Sequence, residues 1–341
     1  MHTSELDYHL PAALIAQHPA RPRDASRMLV LHRNTGVIEH RQFRELPTYL
    51  AADDIVVLNN TRVMRARLKG RREPGGGKAE VLLLGDRGGG VWEALVTPGR
   101  RVPVGRRIAF GDGALIAEVV ERTPSGGRLL RFTGAEDVMA AISRHGEVPT
   151  PPYVHEALEQ ESDYQTVYAE VPGASAAPTA GLHFAPQILE QVRARAGDVV
   201  FLTLHVGLGT FRPIHSQVVE DHDMHAEWYE VPEVTAAVVS QALTDGRRVV
   251  AVGTSTARAL EAACDDRGRL RAGAAETELF IVPGYRFRAV RALLTNFHMP
   301  RSTLLALVSA FASREQIMRA YREAVEMRYR FLSFGDAMLI V

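Results

Sequence analysis

Histidines set among small and polar residues are the side chains of this sequence best suited to proton transfer near neutral pH. Four stand in such settings: His183, His205, His225 and His298. His183 lies in Ala177-Pro178-Thr179-Ala180-Gly181-Leu182-His183-Phe184, a small-residue loop before a helix predicted to start near Pro186. Small residues let a ligand approach the backbone, and helix N-termini favour anions. His205 lies in Leu204-His205-Val206-Gly207-Leu208-Gly209-Thr210-Phe211-Arg212-Pro213, where a predicted strand ends in a GxG turn. That turn lacks the third glycine and the later acid of a dinucleotide fingerprint. His225 belongs to Asp221-His222-Asp223-Met224-His225-Ala226-Glu227. On a helix His222, His225 and Glu227 could share a face and hold a metal, although no recognised ligand spacing is present. His298 sits in Asn296-Phe297-His298-Met299-Pro300-Arg301-Ser302, ahead of another predicted helix. Two further turns carry no histidine. Gly253-Thr254-Ser255-Thr256-Ala257-Arg258 opens a helix with amides and hydroxyls suited to a carboxylate or phosphate. Leu58-Asn59-Asn60-Thr61-Arg62-Val63 offers hydrogen-bonding groups and a guanidinium that can grip an anion. For each loop the competing explanation is an ordinary turn or helix cap, by Ser255 or Ser302 for example. Two familiar patterns fail. Ala79 after Gly75-Gly76-Gly77-Lys78 cannot supply the hydroxyl of a P-loop, and Gly173-Ala174-Ser175-Ala176-Ala177 lacks the second glycine of a nucleophile elbow.

These loops need a frame. Met28–His32 and Val37-Ile38 flank the turn Asn34-Thr35-Gly36, which predicts a hairpin, and Asp54–Leu58 reads as a buried strand. After about Tyr164, helical and strand patterns alternate. Helices are predicted at Pro186–Ala196, Pro232–Thr244, Ser255–Cys264, Ser302–Ala312 and Arg314–Arg328. Strands are predicted at Asp198–Val206, Arg247–Val252, Glu278–Val282, Ala292–Thr295 and Ala337–Val341. This alternation predicts an α/β fold whose main domain is mostly parallel and barrel-like, with sites at the carboxyl ends of its strands. From about Arg65 to Pro149 the texture differs. Short apolar runs (Glu80–Leu84, Val91–Val96, Arg107–Phe110, Leu115–Val120, Arg128–Phe132) are separated by Gly and Pro clusters, which predicts a small antiparallel β-barrel. One helix is predicted at Ala135–His145, and Pro149-Thr150-Pro151-Pro152 marks a boundary. The expected organisation is therefore residues 1–63 and 152–341 as an α/β catalytic domain, with residues 64–151 inserted as the barrel.

At 341 residues, with 46% hydrophobic and 23% charged, the chain is long enough for about two domains and is neither disordered nor collagenous. A lone Cys264 excludes an internal disulfide and an all-cysteine zinc site, and fits a reducing cytosol. The nearly apolar runs, such as Leu304–Ala312, reach about half of the roughly 20 residues a membrane span needs. The first residues have no secretory pattern, so a cytoplasmic location is expected. Formal net charge is zero, but Thr61–Phe110 carries twelve Lys and Arg against four acids, a local excess of +8. A local basic face of this kind suits phosphate backbones, and a solvated arginine-rich surface is its alternative.

In order along the chain, these stretches resemble the S-adenosylmethionine:tRNA ribosyltransferase-isomerase family of queuosine biosynthesis. The likeness runs from Asp7-Tyr8-His9-Leu10-Pro11 and Ser26-Arg27-Met28-Leu29-Val30 through Asn59-Asn60-Thr61-Arg62-Val63 and Tyr164-Gln165-Thr166-Val167-Tyr168-Ala169. It continues through the His183 and His205 stretches, Met224-His225-Ala226-Glu227, Leu294-Thr295-Asn296-Phe297-His298 and Phe334-Gly335-Asp336-Ala337-Met338-Leu339. Thr150, Ala174-Ser175, Ala257, Ala259 and Arg291 depart from the family pattern, Arg291 standing where Asp is common. The resemblance implies an α/β domain with an inserted β-barrel. It also implies transfer and isomerisation of the ribosyl part of S-adenosylmethionine onto an aminomethyl-deazaguanine at the tRNA wobble position, giving epoxyqueuosine, adenine and methionine. S-adenosylmethionine is then a substrate, no true cofactor or metal is expected, and tRNA is the partner of a monomeric protein. On this basis His183, His205, His225, His298 and Glu227 are expected to be catalytic. Asn59, Thr61, Arg62, Thr179, Gly181, Gly207, Gly209, Thr210, Gly253, Thr254, Ser255, Arg258 and Asn296 are expected to bind substrate, with Arg62 and Arg258 holding the methionine carboxylate or a tRNA phosphate. Arg65, Arg67, Arg71 and Arg72 are expected to contact tRNA. A metal-dependent hydrolase using His222, His225 and Glu227, and a non-catalytic RNA-binding module, are the alternatives.

Overall fold

Strand-forming runs that are apolar at every position must be covered on both faces, and here they form the centre of a large sheet. The structure is a computed structural model and describes residues 1–123, 126–207 and 213–341. Two compact units are present. The larger comprises Met1–Thr61, Pro151–Val171 and Ala177–Val341; the smaller comprises Arg62–Thr150 and Pro172–Ala176.

The larger unit is built on nine strands: β1 (Arg27–His32), β2 (Val37–Gln42), β3 (Ile55–Asn59), β4 (Asp198–Leu204), β5 (Glu227–Val231), β6 (Val249–Val252), β7 (Gly273–Thr277), β8 (Ala292–Asn296) and β9 (Ala337–Ile340). Their spatial order is β7-β5-β4-β3-β6-β8-β9-β1-β2. Strands β4, β3, β6 and β8 run parallel, and every residue of β3, β6 and β8 is buried. Alternate residues Val56 and Leu58, Val250 and Val252, Ala292 and Leu294, and Ala337 and Leu339 contribute to one core. There they meet Phe43, Leu46, Phe184 and the Ile188, Leu189 and Val192 stripe of helix α1 (Pro186–Arg195). Helices α2 (Glu233–Thr244) and α3 (Thr254–Ala263) pack on β3, β4 and β6, and helices α4 (Thr303–Phe311) and α5 (Arg314–Glu326) pack on each other.

The sheet corrects the expected mostly parallel, barrel-like domain. It is mixed and open, ending on β7 and β2. β9 runs antiparallel to β8, and β5 and β7 form an antiparallel arm beside β4. The reason lies in the connections. A single helix returns the chain for a parallel strand, whereas two consecutive helices, α4 and α5, leave it at the end from which it must run back. The segment 278–282, predicted as a strand, is irregular; the strand is the preceding Gly273–Thr277, whose small and polar residues carry no strand signal.

In the smaller unit six antiparallel strands close into a barrel: Arg67–Glu73, Lys78–Asp86, Val91–Thr97, Arg128–Thr133, Leu115–Arg122 and Arg107–Phe110, the last pairing back to the first. Leu68, Val81, Leu83, Trp92, Ile108, Phe110, Val119, Leu130 and Phe132 fill it, and Ala141 and Ile142 of the helix Val138–His145 join that core. Closure removes the exposed edges that a small sheet would otherwise present.

Candidate active site

The carboxyl ends of β6 and β8 open into a cleft of the larger unit holding about 660 Å³ of empty space, its mouth included. It has apolar walls, from Met224, Leu279, Phe280, Ile281, Leu304 and Leu307 among others, and a small set of polar groups. That division is typical of a small-molecule site. Gly253, Thr254 and Ser255 reach it from the start of α3, Thr303 and Leu304 from the start of α4, and Thr295, Asn296 and His298 from the end of β8. Gly253 has φ +96°, a left-handed conformation that turns the chain from β6 directly into α3 without the strain a side chain would add.

Asn296 is the hub. Its Oδ1 accepts from Thr179 Oγ1 (2.9 Å), and its Nδ2 donates to His183 Nε2 (3.2 Å) and to the Leu332 carbonyl (3.3 Å). His183 Nδ1 bonds Ser26 Oγ at 2.8 Å. The neutral tautomer that satisfies both contacts carries its proton on Nδ1 and spends its Nε2 lone pair on Asn296. Burial, together with Arg330 and Arg23, pushes the His183 pKa down to about 3. His298 bonds Thr295 Oγ1 through Nε2 (2.8 Å), and burial lowers its pKa to about 3 as well. Both imidazoles are therefore neutral across the physiological range, but only His298 lines the cleft. Thr179, Asn296, His298 and Leu304 also line an adjoining pocket with Tyr153 and Ser333, so this polar group forms a neck between two lobes.

Glu227 and Arg258 meet at the cleft wall in a buried ion pair, 2.5 Å from Oε2 to a guanidinium nitrogen. Glu227 Oε1 accepts the Gly207 amide (2.9 Å). The other Arg258 nitrogens donate to the carbonyls of Leu279, His225 and Thr277. Every nitrogen of Arg258 is thus bonded to the protein.

Several candidates lie elsewhere. Asn59 is fully buried and spends its amide on Leu204, Thr61 and Ser255, so it aligns β3, β4 and the start of α3 and leaves no group for a ligand. Thr61 is buried against His205, which stacks on Trp228 (4.7 Å between centroids), and burial lowers the His205 pKa to about 4. His225 is exposed and contributes its carbonyl to Arg258. Gly181 makes room for Tyr168, whose hydroxyl would lie 2.1 Å from an added Cβ. Arg62 is exposed and belongs to the smaller unit. Gly209 and Thr210 lie outside the described residues. The helix imagined for 222–227 does not form: a short 3-10 turn ends at Asp221 and Glu227 opens β5. Among the described residues, no three His, Cys, Asp or Glu side chains gather as a metal site requires, His222, His225 and Glu227 included.

The barrel carries a second, very different concavity. Lys69, Arg71, Arg72 and Lys78 line a groove of about 1520 Å³ of empty space, solvent included. Arg71 is exposed, and Arg72 donates to the Gly77 carbonyl. Arg65 and Arg67 are occupied within the unit, Arg65 by the Ser143 carbonyl and Arg67 by the Thr150 carbonyl and Glu80. Lys69, absent from the sequence-based set, pairs with Glu147 at 2.7 Å.

The profile of the queuosine biosynthesis protein family matches residues 3–340. The chain belongs to this family of S-adenosylmethionine:tRNA ribosyltransferase-isomerases. It is 53% identical, with all of both chains covered, to the S-adenosylmethionine:tRNA ribosyltransferase-isomerases of Moorella thermoacetica and Symbiobacterium thermophilum. It is 40% identical to the S-adenosylmethionine tRNA ribosyltransferase of Thermotoga maritima, solved by crystallography, with a TM-score of 0.57, 99% of this chain and all of that one covered. As a member of the ribosyltransferase-isomerase family the chain is an enzyme, a transferase and isomerase. Arg291 is exposed and donates to the Phe287 carbonyl, and it is not among the residues lining the cleft. Leu279, Phe280, Ile281, Thr303 and Met224 line the cleft without standing among the sequence-based candidates. The first three carry a signal, an unbroken apolar run, which also suits a buried strand.

Proposed function

We propose that this enzyme transfers and isomerises the ribosyl moiety of S-adenosylmethionine onto the aminomethyl group of 7-aminomethyl-7-deazaguanine at the tRNA wobble position. The products are epoxyqueuosine-tRNA, adenine and methionine. S-adenosylmethionine is consumed as a substrate, with no separate cofactor, and the reaction takes place in the cytoplasm. The observation that carries the reading is the apolar cleft with a neutral polar neck. Its walls suit the flat adenine and the thioether chain. The neck of Thr179, Asn296 and His298 suits the ribose hydroxyls and the protons that must move.

A carbon next to a sulfonium is acidified, and a group in the neck must take its proton while adenine leaves. His298 is our candidate for this because, of the four histidines, it alone lines both lobes. His183 acts one step back, through Asn296, as a positioning residue. Glu227 and Arg258 hold the wall and the Gly207 amide in register. A cleft whose one carboxylate among the described lining residues, Glu227, is already paired with Arg258 binds a sulfonium without a free counter-charge that would tighten the ground state more than the transition state. The barrel groove, with Arg71, Arg72, Lys69 and Lys78, supplies the phosphate contacts that tRNA requires. No helix among the described residues is long and apolar enough to cross a membrane.

Adenine release tests the reaction. The protein is incubated with S-adenosylmethionine and tRNA bearing the aminomethyl base, with unmodified tRNA as control and chelator present. Adenine and methionine are expected only with the modified tRNA. Intact S-adenosylmethionine in both reactions would overturn the reading in favour of an RNA-binding role.

A further inference from the structure

Surface arginines of the larger unit commonly meet a carboxylate, as Arg21, Arg41, Arg269, Arg301 and Arg314 do. Three arginines around the turn between β1 and β2 are bonded differently. Arg33 donates to the carbonyls of Phe311 (3.3 Å) and Arg291 (3.0 Å), Arg291 donates to that of Phe287 (3.0 Å), and Arg319 of α5 donates to that of Gly36. Among the described residues none of the three forms an ion pair with an acid. A carbonyl satisfies an N–H but leaves the positive charge whole, and each guanidinium has five such donors. The cluster is held in place. The Arg33 guanidinium lies over the Phe311 ring, 4.5 Å from its centre, Phe287 meets that ring edge-on at 4.9 Å, and Gln316 donates to the Arg33 carbonyl at 2.9 Å. Burial, and then the charge of Arg291, lower the Arg33 pKa, so these two cations are close enough to repel. Like charges held together without an acid cost stability, and a bound anion offsets that cost. The background charge does not explain the cluster: the whole chain is neutral and Thr61–Phe110 carries +8, so the remainder carries −8.

We propose that Arg33, Arg291 and Arg319 form a second contact for the phosphate backbone of tRNA, on the larger unit and in addition to the barrel groove. This rests on the tRNA reading above. The three side chains come from separate segments: the β1–β2 turn, the residue before β8, and helix α5. Arg291 and Arg319 are exposed and Arg33 is half-buried. Exposed charge spread over several elements suits an extended polyanion better than an enclosed small anion. Planar guanidinia fixed by stacking and by carbonyls present their remaining N–H groups to phosphate oxygens with little ordering left to pay for. Such contacts position the nucleic acid and read no base.

The test measures the affinity of the full chain for tRNA bearing the aminomethyl base, by fluorescence anisotropy over a range of salt. The double variant Arg291→Gln, Arg319→Gln should bind more weakly, and the slope of log affinity against log salt should fall by roughly 0.7–0.9 for each phosphate no longer neutralised. The charge-keeping variant Arg291→Lys, Arg319→Lys should keep the wild-type slope, which separates lost charge from lost folding. Arg314→Gln, which removes a cation already paired with Glu5 and Glu315, should leave the slope unchanged. An unchanged slope in the double glutamine variant, or an equal fall in Arg314→Gln, would overturn the proposal while leaving the tRNA reading intact. Binding of wild type to phosphatidylglycerol vesicles that the glutamine variant loses, with its tRNA slope unchanged, would overturn it in favour of a membrane surface. Failure of the wild-type protein to bind tRNA at any salt would overturn both.

Discussion

The cleft and the barrel groove use polar groups in opposite ways. In the cleft they are few, buried and bonded in chains: Ser26 to His183 to Asn296 to Thr179, and Gly207 to Glu227 to Arg258. In the groove they are dense, charged and mostly near solvent: Lys69, Arg71, Arg72 and Lys78. Low dielectric makes each cleft group consequential and intolerant of a missing partner. Solvent makes each groove charge weakly coupled, replaceable and sensitive to salt. A small ligand that must be held in one geometry suits the first arrangement, and a long polyanion suits the second.

The sharpest way to break this contrast is to remove one partner from each region. Arg258→Ala leaves Glu227 buried and unpaired, and should cost about 3–5 kcal/mol in denaturant unfolding. Lys69→Ala removes an exposed pair with Glu147 and should cost about 0–1 kcal/mol. Comparable costs would show that the two regions are not electrostatically distinct.

The buried histidines sharpen it next. His183 and His298 have folded-state pKa values pushed down to about 3, against an ordinary 6.5. Between those values the unfolded chain binds more protons than the folded one, so stability is fully present above pH 6.5 and is lost as pH falls below it. Each histidine should contribute a slope of about 1.4 kcal/mol per pH unit over that window. His298→Asn should flatten the curve by one histidine. By the same token, wild-type activity between pH 6 and 8 should show no limb belonging to His298, and titration of its imidazole near 6.5, followed by NMR, would contradict its burial. The smallest effect belongs to the groove. Arg71→Gln with Arg72→Gln should lower the salt slope of tRNA binding by roughly 0.7–0.9 for each phosphate that is no longer neutralised, with S-adenosylmethionine affinity unchanged.

Much of this is legible in the sequence, for identifiable reasons. Gly253, Thr254, Ser255 and His298 follow buried strands and Asn296 ends one, and strand ends are where an α/β sheet places its loops. The hairpin of β1 and β2 follows from Asn34-Thr35-Gly36, with Gly36 at φ +74°. Burial is not legible, and it changes roles: His183 reads as a candidate base from its loop, yet its ring nitrogens are committed to Ser26 and Asn296. The barrel strand Arg67–Glu73 escapes a reading of apolar runs because five of its seven residues are charged, and only Leu68 points to its core. Leu279–Ile281 reads as a strand because an apolar run looks the same whether it faces a sheet neighbour or a ligand. The parallel expectation fails at β9 because periodicity reports elements, and the direction of a strand depends on how many helices precede it.

The most direct test of the division of labour is single-turnover adenine release at saturating S-adenosylmethionine and modified tRNA. Asn296→Ala removes the hub of the neck and should lower the rate roughly 10²–10³-fold, as for loss of one preorganised hydrogen-bonding group. The Arg71→Gln, Arg72→Gln variant should match wild type once tRNA is saturating. A near-wild-type rate for Asn296→Ala, or a slowed saturated rate for the groove variant, would contradict the account.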